Sequence, residues 1–200
     1  MPRAKLRTPE LAERVLEAAV RLLARDGPAG LTARRLAEEA GTSPAAVYEL
    51  FGDKGGVVRA LFFSGFERLG ASLAEVPATA DPLADLRAIA WRYRAFLVEH
   101  PALAAVMFSR PFASFDPAPE EAAAGTAVRE LIVGAVRRAA AAGTLRGEAT
   151  DVAHAFVALV HGLAAAESAR RLGSTAAAVQ RRWEVSVDAL LRGFAAGPPG

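Results

Sequence analysis

The segment 31–54, LTARRLAEEAGTSPAAVYELFGDK, constrains the fold most tightly, because it spells two short helices joined by a turn with no slack in it. Thr32 stands where an N-cap is needed. Residues 33–40 then place Leu36 and Ala37 on one side and Arg34, Arg35, Glu38 and Glu39 on the other. Gly41 ends this first helix, since glycine takes the left-handed conformation of a sharp helix exit at little cost. Ser43-Pro44 restarts the chain as a cap followed by a proline at the first helical position, and the second helix runs over 44–51. Val47, Leu50 and Phe51 fall inward, which leaves Thr42, Ser43, Pro44, Ala45, Ala46, Tyr48 and Glu49 for the outer rim. A short helix whose first turn carries only small side chains can enter a DNA major groove about 12 Å wide, that turn nearest the bases.

Charge is a weak guide here, because 24 basic residues against 22 acidic ones leave a net charge of only +2. Its placement says more. Arg3, Lys5 and Arg7 precede the first acid, Glu10, and form either a basic arm able to reach a phosphate or minor groove, or a solvated tail. Arg34 and Arg35 either meet phosphates or balance Glu38 and Glu39 at i,i+4.

A chain of 200 residues that is 52% hydrophobic and 23% charged can bury one large core or two modest ones. Cysteine is absent, which removes disulfides, thiolate metal sites and cysteine nucleophiles and fits a reducing cytoplasm. The N-terminus has no apolar signal core. The longest apolar stretch, 152–166, is interrupted by His154 and His161, so it reads as a buried helix with no membrane role.

Nearly everything else reads as helix. Residues 8–25 open with Thr8-Pro9 and put Leu11, Val15, Leu16, Ala19, Leu22 and Leu23 on one face before Gly27-Pro28. A fourth helix is expected over 53–75, its first turn weakened by Gly55 and Gly56 at roughly 1 kcal/mol each relative to alanine. Prolines at 77 and 82 mark a second domain, with helices over 83–99, 101–110, 120–142, 150–172 and 175–194. The fold class is therefore all-α, with about nine helices. Residues 1–66 form a three-helix DNA-binding domain with its helix-turn-helix at 31–51, and 67–200 a larger helical domain for ligand binding and dimerisation. The loop 111–119, with Phe112 and Phe115 between prolines, is apolar enough to fold over a cavity or a partner.

The order Thr32, Leu36-Ala37, Ala40-Gly41-Thr42-Ser43, Val47-Tyr48, Phe51 and Lys54 resembles the tetracycline-repressor (TetR) family of bacterial transcription regulators, over about the first third of the chain. The resemblance implies a first helix that supports the pair and a second and third that form the helix-turn-helix. It also implies a lysine at the start of the fourth helix that meets a phosphate, and Lys54 occupies that position. Where the family commonly has a second aromatic or a histidine, this chain has Leu50, and Glu49 adds an acid facing DNA. Residues 93–108 together with Val160-His161-Gly162-Leu163 are similar to the subgroup named for a Trp-His-Gly signature, with Val160 in place of its tryptophan.

The resemblance further implies a double-stranded DNA operator, a homodimer and a small-molecule effector. Trp91, Phe96, Met107, Phe108, Phe112, Phe115 and His161 are the candidate ligand-binding residues, apolar enough to suit an apolar or aromatic effector. The faces carrying Phe156, Leu159 and Leu163, and Trp183, Val187 and Leu191, are the candidate dimer seam, since one helix-turn-helix reads one half-site and a C2 partner reads the other. No cofactor is expected. His154 and His161 lie seven apart, about 10.5 Å along a helix axis, too far to share one zinc. No serine sits in a strand-turn-helix elbow and no glycine-rich phosphate cradle is present, which argues against catalysis. An effector-independent nucleoid-type DNA binder and a degenerate dimer without operator function remain open at this point.

Overall fold

In the computed structural model, which describes residues 8–108 and 123–196, stop and start signals divide the chain into nine α-helices among those residues. They are α1 Pro9–Asp26, α2 Ala33–Ala40, α3 Pro44–Phe51, α4 Lys54–Ala74, α5 Pro82–Glu99, α6 Pro101–Phe108, α7 Thr126–Ala141, α8 Ala149–Ser168 and α9 Ala176–Gly193. One isolated antiparallel bridge, Leu145 with Ala195, is the extent of β structure among the described residues. They form two compact units, one drawn from 1–67 and 100–124, the other from 68–99 and 125–200.

In the first unit the expected caps are made. Thr8 accepts a hydrogen bond from the Leu11 amide at 3.2 Å and Pro9 opens α1. Leu11, Val15, Ala18, Ala19 and Leu22 then bury one stripe against α2, and α6 also packs on α1. Thr32 accepts from the Arg35 amide at 3.3 Å, and Ser43 from the Ala46 amide at 3.2 Å. Gly41 takes φ 64° and ψ 44°, a left-handed conformation unfavourable to any residue with a Cβ. α4 begins abruptly. Asp53 caps it by accepting from the Gly56 amide at 2.8 Å, and a Cβ on Gly56 would stand 1.7 Å from the Phe51 carbonyl oxygen. Gly56 is thus required by close backbone approach, where the sequence suggested only a weakened first turn.

The second unit is built from α5, α7, α8 and α9, whose buried faces carry Leu86, Ile89, Tyr93 and Phe96; Ile132, Val133 and Val136; Val152, Phe156 and Val160; and Trp183, Val187 and Leu191. Burying each such side chain is worth about 1.5–3 kcal/mol, so this alternation of apolar stripes holds the unit together. Two boundaries differ from expectation. α8 starts at Ala149 because Glu148 accepts from the amides of Thr150 and Asp151 at 2.7 and 3.0 Å. It stops at Ser168, four residues early, where Arg170 turns left-handed at φ 56° and the Arg171 amide bonds back to the Ala166 carbonyl. Among the described residues α8 is the one helix long and apolar enough to cross a membrane, yet it packs on α5, α7 and α9. Only 33% of its apolar window is buried, so it is a one-faced core helix and not the fully buried one expected.

Candidate nucleic-acid interface

The turn that restarts the chain at Ser43 decides which residues can meet DNA. With Ser43 and Thr32 spent as acceptors in caps, their hydroxyls can still donate outward. Thr32, Ser43, Pro44, Ala45 and Tyr48 are exposed, Tyr48 by 57%, and Thr42 is partly so. Ala46 is not available. It is 4% exposed and turns into the core with Val47, because the first residues of α3 already rest on α2. Leu50 and Phe51, expected to point inward, are only half-buried.

Lys54 stands at the start of α4, where its ammonium donates to the Pro28 carbonyl oxygen at 2.7 Å. Thr32, Tyr48 and Lys54 rim one cleft of about 180 Å³ whose floor is apolar, from Leu36, Val47 and Val57. A hydroxyl, a phenol and an ammonium around one small concavity beside the recognition helix suit a backbone phosphate, which offers only acceptors.

The arginines of α2 divide. Arg34 is exposed and makes no ion pair among the described residues. Arg35 instead reaches back to Asp26 of α1 at 2.5 Å, and Glu39 takes Arg21 at 3.0 Å and Arg25 at 3.4 Å. Charge balance therefore runs between α1 and α2, and the i,i+4 pairing of Arg34 and Arg35 with Glu38 and Glu39 is not formed. The Arg21 hydrogen bond first, then the neighbouring charges against some desolvation, holds the Glu39 carboxyl below its ordinary range. Asp26, Arg21 and Arg25 were missed by sequence reasoning, because α1 patterning does not tell which of its charges face α2. Arg7, with Arg3 and Lys5, lies outside the described residues.

The candidate ligand residues distribute over both units. Met107 is buried in the first, beside Gly65, and half-buried Phe108 sets its ring 5.5 Å from Phe66. Trp91, Phe96 and His161 belong to the second. Phe96 is buried and His161 half-buried, where desolvation pushes the imidazole pKa down and favours its neutral form. Trp91 lies 5.9 Å from Trp183, with the Arg94 guanidinium 5.5 Å from each ring. Arg94 also forks onto Glu167 at 2.8 and 2.7 Å, and the Trp183 indole donates to the same carboxylate at 2.7 Å. This cluster joins α5, α8 and α9, and nothing in the spacing of Arg94, Glu167 and Trp183 announced it. Phe112 and Phe115, with the loop 111–119, lie outside the described residues.

The candidate seam needs correction. Phe156, Trp183, Val187 and Leu191 are spent inside their own chain, each at most 3% exposed, and only Leu159 and Leu163 keep part of their surface. The exposed side of α8 carries His154, Ala158, Gly162 and Ala165, and that of α9 carries Arg181, Val185 and Ala189. Among the described residues, no cluster of three or more potential metal ligands forms.

Two family profiles match the chain: "Bacterial regulatory proteins, tetR family" over residues 15–61 and "Tetracyclin repressor-like, C-terminal domain" over 86–190. No curated protein matches significantly. Among solved structures, a protein of unknown function from Rhodococcus sp. RHA1 is 33% identical, with 94% of this chain and 97% of that one covered and a TM-score of 0.81. The TetR family regulator PfmR from Thermus thermophilus is 21% identical over 90% and 97% of the two chains, at TM-score 0.69. The fatty acid degradation regulator FadR from Bacillus halodurans is 14% identical over 92% and 96%, at 0.75, and shows likeness of fold alone. Members of this family are non-enzymatic regulators that bind DNA operators and small molecules and form dimers, and with its helix-turn-helix and its second helical unit both matched, the chain belongs to the TetR family of bacterial transcription regulators.

Proposed function

We propose that the chain is a dimeric repressor of the cytoplasm, each protomer reading one half of a palindromic operator, and that a small apolar effector bound in the second unit releases it. The observation that carries the DNA reading is the grouping of Thr32, Tyr48 and Lys54 around one cleft beside the small-residue face of α3. Arg34, Ser43, Pro44 and Ala45 extend that surface, and Arg35 supports it through Asp26.

Dimerisation through the exposed faces of α8 and α9 supplies the two-fold symmetry. Ala158, Gly162 and Ala165 follow helical spacing and let a second helix approach closely, and Val185, 58% exposed, continues the apolar surface. Trp91, Phe96 and a neutral His161 give the second unit the apolar, weakly polar character that suits an uncharged effector. To weaken operator binding tenfold, the effector must prefer the released state by about 1.4 kcal/mol. α4, which contributes residues to both units, is the continuous helix through which that preference would be transmitted.

Selection of bound genomic fragments, followed by anisotropy titration at several salt concentrations, tests the reading. A recurrent palindrome bound with steep salt dependence supports it, and release by apolar compounds supports the effector. Enrichment of no sequence at all would overturn it.

A further inference from the structure

The recognition helix α3, PAAVYELF, carries no arginine, lysine, asparagine or glutamine. Those are the side chains that pair bidentately with guanine and adenine in the major groove. Its outward strip is Ala45, Tyr48 and Glu49, related by three and four residues and all exposed, while Ala46 and Val47 are buried. Glu49 is the one charged side chain in α3, and its charge is negative.

The cations of the same unit stand elsewhere. Lys54 is at the head of α4 on the Pro28 carbonyl, Arg34 is exposed on α2, and Arg35 is held by Asp26. Positive charge thus flanks the reading helix and a carboxylate lies on its strip. That division matches the groove. A carboxylate near a phosphate is repelled, and an ionised carboxylate only accepts hydrogen bonds. On the groove floor the cytosine N4 amino group is the donor that a glutamate pairs with, and the thymine methyl is what an alanine touches.

We infer that Glu49 reads a cytosine amino group and Ala45, one turn earlier, a thymine methyl, so that each half-site is chosen by acceptor and methyl contacts from α3 in place of arginine–guanine pairs. The inference rests on the operator-binding reading above. It makes Glu49 a specificity-determining residue and explains an acid on a surface that must approach a polyanion.

The test is selection from a randomised duplex library with the full-length protein and with Glu49→Gln and Glu49→Ala. The parent is expected to enrich a palindrome with a fixed cytosine in each half, losing about tenfold in affinity when that C·G pair is replaced. Glu49→Gln should move the preference at that position toward adenine, which glutamine pairs bidentately. Glu49→Ala should drop it while keeping the rest of the motif and tightening non-specific binding. If all three proteins enrich the same motif with equal discrimination, the base contact is overturned and the operator reading stands. If none enriches any motif, both fall. Should Glu49→Ala not fold, the near-isosteric Glu49→Gln decides alone.

Discussion

The Lys54 ammonium and the Pro28 carbonyl oxygen meet at 2.7 Å, tying the first residue of α4 to the short 3₁₀ turn Pro28–Gly30 that follows α1. A lysine that would otherwise sweep a wide volume is held beside the cleft that Thr32 and Tyr48 share. It arrives at DNA with part of its rotamer entropy already spent, a side-chain cost of up to about 2 kcal/mol that binding need not meet again in full.

Replacing Lys54 by alanine should accordingly weaken binding to all duplex sequences alike, and lower the slope of log affinity against log salt by about 0.9 for each phosphate that is no longer neutralised. Thermal stability should fall by no more than about 1 kcal/mol, the worth of one exposed hydrogen bond. Anisotropy titrations at four or five salt concentrations measure the slope, and a thermal melt measures the stability. An unchanged slope would show that Lys54 only staples α4 to the 3₁₀ turn.

The neighbouring glycines separate two effects that the sequence could not. A Cβ at position 56 would sit 1.7 Å from the Phe51 carbonyl oxygen, whereas at position 55 it would meet the Asp53 carboxylate oxygen at 3.1 Å. Backbone cannot yield as that carboxylate can. Gly56→Ala is expected to cost about 2 kcal/mol or more, toward the upper range of overpacking, because the α3–α4 junction must open. Gly55→Ala should lie within about 1 kcal/mol of the parent, helix propensity offsetting the tight approach. Urea denaturation of the two variants checks this, and equal losses would mean the junction is more compliant than its geometry.

Caps and stops were legible because they depend on one or two adjacent residues. Thr8-Pro9, Thr32, Gly41 and Ser43-Pro44 each act where a local reading puts them. What failed depended on partners distant in sequence. Arg35 looked as outward as Arg34 until Asp26, nine residues earlier, took its guanidinium. Phe156, Val187 and Leu191 lie on apolar stripes that suit a dimer seam as well as a core, and periodicity cannot distinguish the two destinations. The end of α8 was missed because it stops on a left-handed arginine, Arg170, with no glycine or proline to signal it.

The corrected seam makes a sharp forecast. A Cβ added at Gly162 meets nothing within 4 Å in the single chain, so Gly162→Glu leaves the protomer's own packing alone. Across a dimer interface it would place two unpaired carboxylates against closely packed helices, and sedimentation should show a folded monomer. Phe156→Ala, by contrast, removes a ring that is 1% exposed and should cost about 3–5 kcal/mol of protomer stability. A Gly162→Glu protein that remains fully dimeric would move the seam off this face.

The Arg94–Glu167 pair predicts a pH dependence. Its side chains are 21% and 18% exposed, and the forked hydrogen bonds of Arg94 first, then the Trp183 indole, outweigh desolvation to hold the Glu167 pKa below its ordinary value. A carboxyl whose folded pKa lies below the unfolded one, near 4.3, contributes stability that is present in full above the unfolded value and is lost as pH falls through the folded one. Breaking a fully buried pair costs about 3–5 kcal/mol, and partial solvent access reduces that here to about 2 for Glu167→Gln at pH 7. The gap between parent and variant should then close as pH falls below about 4.5, because the parent protonates the same carboxyl that the variant lacks. Urea titrations followed by tryptophan fluorescence measure this, since Trp91 and Trp183 both border Arg94. Arg94→Met gives a second arm, leaving Glu167 only the indole donor, and its pH dependence should be shallower than the parent's for the same reason. Parallel curves for parent and both variants between pH 7 and pH 4 would show that the cluster stabilises α5, α8 and α9 by packing alone.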